Sequence, residues 1–227
     1  MDYFYIIYGL PIIALLVTLL AQSFVSNSYS KYSKVKNKKE ITGSDAARYI
    51  LDKNGLSNIS VVETNGYLTD HYDPRNKVIR LSRGVYNNAS IAAVAVACHE
   101  CGHAIQDKVG YTFLKIRSAL VPLVNFSSYA GYFAILLGCL FGALDLIWLG
   151  ILAEVVILLF QIITLPVEIN ASKRALKELE TANFLDIQEL KQGKTVLTAA
   201  ALTYVASLVT TIIQIIRLIL MFGRNND

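Results

Sequence analysis

The chain has 227 residues, 54% of them hydrophobic, with a mean hydropathy of +0.46. Its apolar residues gather into long uncharged blocks, which argues against a fully soluble protein. The net charge is only +4 and no basic stripe alternates with aromatics, which argues against nucleic acid as a partner; three cysteines at unrelated positions argue against a disulfide framework.

The first block, residues 3–25, carries no charge and is long enough to cross about 30 Å of hydrocarbon. Only Asp2 precedes it and its apolar run exceeds the core of a signal peptide, so it reads as a retained transmembrane helix. Lys31, Lys34, Lys36, Lys38 and Lys39 follow directly. Such a cluster stays in the cytoplasm, which turns the N-terminus outward.

Residues 42–118 read as a soluble portion. Thr42 and Asp45 resemble a capping start, and Asp45 to Asn54 reads as an amphipathic helix stopped by Gly55. Ile59 to Glu63 is rich in β-branched residues, Asn65-Gly66 is a hairpin signal with Tyr67 to Thr69 as the return, and Lys77 to Leu81 alternates as a half-buried strand does. A small antiparallel sheet is predicted, with Lys77–Leu81 as an edge on which an extended peptide can lie. Asn87, Asn88 or Ser90 can cap the next helix.

That helix carries the chemistry. Within Val94–Asp107, His99, Glu100 and His103 spell H-E-x-x-H. Residues i and i+4 lie one turn apart on one helix face, so both imidazoles can reach a single metal ion. Glu100 is turned by about 100° from His99, which directs its carboxylate to a water beside the metal. Two neutral nitrogens and an adjacent base are what zinc-assisted hydrolysis needs. Gly102 permits close approach of another backbone. Cys98 and Cys101 have no second C-x-x-C to pair with and read as small packing residues.

Three further spans are expected, at 119–144, 146–166 and 196–222, with a turn at Asp145, Pro166 closing the third, and a polar helix over 167–194. Of the 21 Lys and Arg, 19 then fall on the cytoplasmic side. The expected class is therefore a mostly α, integral membrane protein: four transmembrane helices plus a small α+β cytoplasmic portion with an H-E-x-x-H helix. Glu154, inside the third span, is expected to pair with Arg217 of the fourth.

A catalytic zinc takes three protein ligands and one water. His71 is the one other histidine, so the third ligand is His71, Asp, Glu or Cys, and the topology favours Glu168, which re-enters the cytoplasmic interface near His99 and His103. His71 or Tyr72 is a candidate donor to the oxyanion of a tetrahedral intermediate.

The segments His99–Gln106 (H-E-C-G-H-A-I-Q), Asp70–Pro74 (D-H-Y-D-P) and Glu168–Leu176 (E-I-N-A-S-K-R-A-L) resemble the YugP-type membrane zinc metallopeptidases over nearly the whole chain. The resemblance implies a bacterial, multi-pass plasma-membrane zinc peptidase, zincin-like and of the gluzincin kind, with His99 and His103 as ligands and Glu100 as general base. More distantly the pattern is similar to HtpX and the CAAX prenyl endopeptidases, where a Glu in an E-x-x-A-D stretch completes the metal shell. Glu168 and Ala171 match that stretch, but Ser172 stands where the Asp would, which leaves Asn170 or Ser172 to orient a ligand histidine. The implied substrate is a peptide or membrane protein at the lipid bilayer. A non-catalytic metal-binding or scaffold protein is the alternative, and a lipid ester or amide an alternative bond. The sequence carries no signal for oligomeric state.

Overall fold

The computed structural model describes residues 5–223; Tyr3 and Phe4, at the start of the expected first span, lie outside them, as does Arg224. A short π-helical turn, Tyr5–Gly9, precedes seven α-helices and three strands among the described residues. In chain order these are α1 (Leu10–Tyr32), α2 (Gly43–Lys53), β1 (Ser60–Thr64), β2 (His71–Asp73), β3 (Val78–Ser82), α3 (Arg83–Tyr86), α4 (Ile91–Lys108), α5 (Thr112–Phe141), α6 (Leu144–Thr181) and α7 (Ile187–Phe222).

Four helices are long and apolar enough to cross a membrane: Ile7–Tyr32, α5, α6 and α7. Their most apolar windows are 0%, 22%, 17% and 22% buried. So large an exposed apolar surface is of the kind that suits a lipid bilayer.

The chain divides into two compact units. One comprises Met1–Gln22, Lys115–Pro166 and Leu202–Asp227. In it α5 and α6 are joined through Gly142, whose φ of +66° a side chain would strain. Gly131 lies against Ala153, and Gly150 against Ile135, so small residues let these backbones approach. Ile147 and Ile151 of α6 pack with Ile215 and Leu218 of α7. Arg217 Nη1 donates to Gln214 Oε1 at 3.4 Å. No Glu154–Arg217 ion pair exists among the described residues, and the expectation of one is corrected.

The other unit comprises Ser23–Leu114 and Val167–Ala201. Thr42 and Asp45 form a capping box that starts α2: Thr42 Oγ1 accepts the Asp45 N–H at 3.1 Å, and Asp45 Oδ2 accepts the Thr42 N–H at 3.3 Å. Gly55, at φ +64°, follows its end. The core joins α2 (Ile50, Leu51), β3 (Ile79, Leu81), α4 (Ile91, Val94, Cys98, Cys101) and the later helices (Ala175, Leu179, Leu197). Each fully buried Leu or Ile contributes on the order of 1.5–3 kcal/mol of transfer free energy.

The sheet departs from expectation in two ways. Its order is β1-β3-β2, with β1 parallel and β2 antiparallel to β3, so it is mixed. The Lys77–Leu81 segment is thus the central strand, and β1 and β2 are the edges. Tyr67–Thr69 forms no strand, because Gly66 at φ +112° and Leu68 at φ +55° bend the backbone out of extended geometry. The reversal lies after Asp73 instead. Asp73 Oδ1 accepts the N–H groups of Arg75 (3.0 Å) and Asn76 (3.1 Å), an Asx turn, while Lys77 adopts φ +50°. Asp70 then pins the start of β2 to the end of β3 by accepting the Ser82 N–H at 2.7 Å.

Pro166 does not end a helix. It lies inside α6, which continues to Thr181. A proline removes one donor, and a long helix in an apolar setting tolerates that loss.

The contact that brings α4 to α6 is between Gly102 and Ala171. A Cβ built on Gly102 would stand 2.5 Å from the Ala171 carbonyl oxygen, closer than real Cβ contacts allow. Gly102→Ala should therefore cost about 1–3 kcal/mol by forcing two backbones apart. The check is thermal unfolding of the detergent-solubilised full chain, where an unchanged Tm would refute the close-approach account.

Candidate metal centre

The H-E-x-x-H segment lies on α4, whose start is capped by Ser90: its Oγ accepts the Ala93 N–H at 3.1 Å. Helical spacing stacks His99 and His103 with ring centroids 4.8 Å apart and planes at 87°. The two rings do not duplicate each other but approach a common point from different angles. Glu168 reaches that point from α6. Its Oε2 lies 3.2 Å from His99 Nε2 and 3.5 Å from His103 Nε2. One donor atom from each of the three residues falls within 4.8 Å of the others.

Around a tetrahedral ion with ligand bonds of about 2.0–2.2 Å, neighbouring ligand atoms stand about 3.3–3.6 Å apart. The two carboxylate–imidazole separations match that edge, and two imidazoles with a carboxylate are a donor set suited to zinc. The residues fit the group. The far nitrogens of both rings are engaged: His99 Nδ1 with Ser172 Oγ at 3.1 Å, and His103 Nδ1 with Gln106 Oε1 at 3.0 Å. Both rings thus turn Nε2 toward Glu168. Burial alone would disfavour a proton on His103, but the neighbouring carboxylates of Glu168 and Glu100 outweigh it and raise its pKa above the ordinary 6.5.

Glu100 lies on the same helix outside the three-residue group. Its Oε2 accepts the Tyr72 N–H at 2.9 Å, so the edge strand β2 holds this carboxylate. The Tyr72 hydroxyl donates to Asp107 Oδ2 at 2.8 Å, and Lys77 Nζ meets the same oxygen at 2.7 Å. β2 is therefore tied to α4 at two points about two turns apart. His71, by contrast, is exposed; its Nδ1 meets the Thr69 carbonyl at 2.8 Å, and it does not belong to the metal group. Cys98 and Cys101 are fully buried against α2, Cys101 Sγ donating to Ala47 O at 3.6 Å. Burial pushes both thiols up, which leaves them inert packing groups.

Of the second-layer candidates, Ser172 touches His99 directly, whereas Asn170 acts one step removed, accepting from Gln106 Nε2 at 3.0 Å and Arg174 Nε at 2.8 Å. Gln106 and the Tyr72 backbone were not readable as site groups. A Gln three residues after a histidine looks like any polar residue near a helix end, and its complete burial is a tertiary fact.

Four helices long and apolar enough to cross a membrane and a His-His-Glu group that could hold a metal ion point to the class of membrane metalloproteins. The chain belongs to the family described as "Putative neutral zinc metallopeptidase", whose model matches residues 5–223. It is 43% identical over 218 residues to the "Putative membrane protease YugP" of Bacillus subtilis (strain 168), covering 96% of this chain and 97% of that one. No solved structure matches the chain.

A metal ion binds neutral imidazole, so protons compete with it. Because the His103 pKa is raised, competition begins above the pH of an ordinary histidine. Metal affinity should fall as pH drops through a midpoint above 6.5. Chelator competition across the pH range checks this, and a midpoint at or below 6.5 contradicts the electrostatic description.

Proposed function

We propose that the chain is a multi-pass plasma-membrane zinc metallopeptidase of the gluzincin kind, hydrolysing peptide bonds at the cytoplasmic face. The four spans are 3–25, 119–144, 146–166 and 196–222; residues 42–118 and 167–194 make up a zincin-like catalytic portion. Zinc is held by His99, His103 and Glu168. The observation that carries the reading is the meeting of three ligand atoms within 4.8 Å, both carboxylate–imidazole separations near the tetrahedral edge, with Glu100 next to His99 on the same helix. Three protein ligands leave a fourth position, as a catalytic site requires. The cytoplasmic placement rests on the 19 of 21 basic residues that this topology gathers on one side.

When bound there, zinc supplies Lewis acidity, which lowers the pKa of a water and polarises the scissile carbonyl. Glu100 takes a proton from the attacking water and returns it to the leaving amine, so water adds across the C–N bond with no net proton change. The Tyr72 N–H holds the Glu100 carboxylate in place for both transfers. Tyr72 already directs its N–H to Glu100 and its O–H to Asp107, which leaves the ring of His71 as the oxyanion donor. With Thr69 O accepting its Nδ1–H, that ring donates from Nε2 only as the imidazolium. The substrate class is a peptide or a membrane protein reaching this face.

Glu100→Gln should retain zinc and lose hydrolysis by at least about 100-fold, the usual share of a general base, whereas His103→Ala should lose both. Zinc content and cleavage of casein or of the chain itself, with and without chelator, provide the check. Full activity in Glu100→Gln rejects the mechanism. Stoichiometric zinc without chelator-sensitive hydrolysis in the wild type would favour a non-catalytic metal-binding protein.

A further inference from the structure

Gln106 is completely buried, and every polar atom of its amide is assigned by its neighbours. Its Nε2 lies 2.8 Å from the backbone carbonyl of Val167, which can only accept. The same nitrogen lies 3.0 Å from Asn170 Oδ1, and that atom is identified as oxygen because the Arg174 Nε–H donates to it at 2.8 Å. Two unambiguous groups, a peptide carbonyl and a guanidinium, therefore fix the Gln106 amide in one orientation. Its oxygen must face the other way, where it meets His103 Nδ1 at 3.0 Å. An amide oxygen only accepts, so Nδ1 must carry the proton. In a neutral imidazole the remaining nitrogen, Nε2, is then a bare lone pair, and it is Nε2 that points at Glu168.

We propose that Gln106 is a positioning residue that commits His103 to the ligand tautomer before any metal arrives, and that Asn170 and Arg174 act through it. This inference rests on the metal-centre reading above but concerns a residue that touches no ligand atom of the metal. The clamp also joins two elements: Gln106 and His103 belong to α4, while Val167, Asn170 and Arg174 flank Glu168 on α6. The group that sets the tautomer is thus held by the helix that delivers the third ligand. Without the clamp, an imidazole is free to place its proton on Nε2, and ligation first requires moving it. Losing an outer partner of this kind lowers metal affinity about 10–100-fold.

The test uses the full chain in lipid nanodiscs with ¹⁵N-labelled histidine. The chain holds three histidines, so the ring signals can be assigned by substitution. In metal-free protein at alkaline pH, the wild type should show His103 as the Nδ1–H form. Gln106→Met, close in volume but without an acceptor, should move that ring toward the Nε2–H form and weaken zinc about 10–100-fold in chelator competition. A wild-type His103 protonated on Nε2, or a folded Gln106→Met that binds zinc as the wild type does, overturns the proposal. Zinc uptake by the wild type separately tests the metal-centre reading, and the ring signals decide the role of Gln106 whichever way that falls.

Discussion

The structure turns on one close approach, the backbone of α4 at Gly102 against the backbone of α6 at Ala171. Two ligands one turn apart on a single helix can never enclose an ion by themselves, since both come from the same side. A third must arrive from another element, and the reach of a glutamate side chain limits how far away that element can be. Absence of a side chain at position 102 lets α6 come near enough for Glu168 Oε2 to reach 3.2 and 3.5 Å from the two imidazoles. Neighbouring alanines extend the same logic: Ala95, Ala104 and Ala175 are all fully buried, so the helices around the site meet on small residues.

A second constraint governs Glu100. Its carboxylate is held against the edge of a sheet rather than against another charged side chain. A single backbone N–H, from Tyr72, donates to its Oε2 at 2.9 Å. The strand giving that N–H is three residues long and would be weak alone, but it is fastened at its start by Asp70 to Ser82, at its middle by the Tyr72 hydroxyl to Asp107, and at its end by the Asp73 turn and the Asp73–Arg80 pair at 3.0 Å. In Asp70-His71-Tyr72-Asp73, three of four side chains thus serve to position the strand.

What was legible in the sequence follows from the range of the physics involved. The placing of His99, Glu100 and His103 on one helix was readable because helical periodicity is local; the caps at Thr42 and Ser90 were readable for the same reason. Glu168 was reachable only by counting apolar spans and asking where the chain returns. Strand order was not legible: β1 and β3 pair in parallel across the 13 residues from Asn65 to Lys77, and strands of three to five residues carry too little pattern to distinguish a hairpin return from a crossover. Pro166 misled because a proline disfavours the helix interior without forbidding it, and α6 runs through it to Thr181. Gln106 and the Tyr72 N–H escaped because a buried amide and a backbone donor have no sequence signature at all.

The choice of an amide rather than a carboxylate behind His103 follows from charge. Histidines that ligate metals commonly lean on a carboxylate, which raises their basicity. In the proposed mechanism two carboxylates are already committed, Glu168 to the ion and Glu100 to the proton. With a dication bound and both ionised, the formal charges cancel. Position 106 is completely buried, and a third carboxylate there would leave the centre with an uncompensated negative charge in a low-dielectric interior, at a cost of several kcal/mol. It would also set an acceptor against the Val167 carbonyl, where the amide now donates. A glutamine fixes the tautomer, satisfies the neighbouring helix and adds no charge. The Arg174 guanidinium, one residue further out through Asn170, steadies this arrangement while its own charge stays away from the ligand atoms.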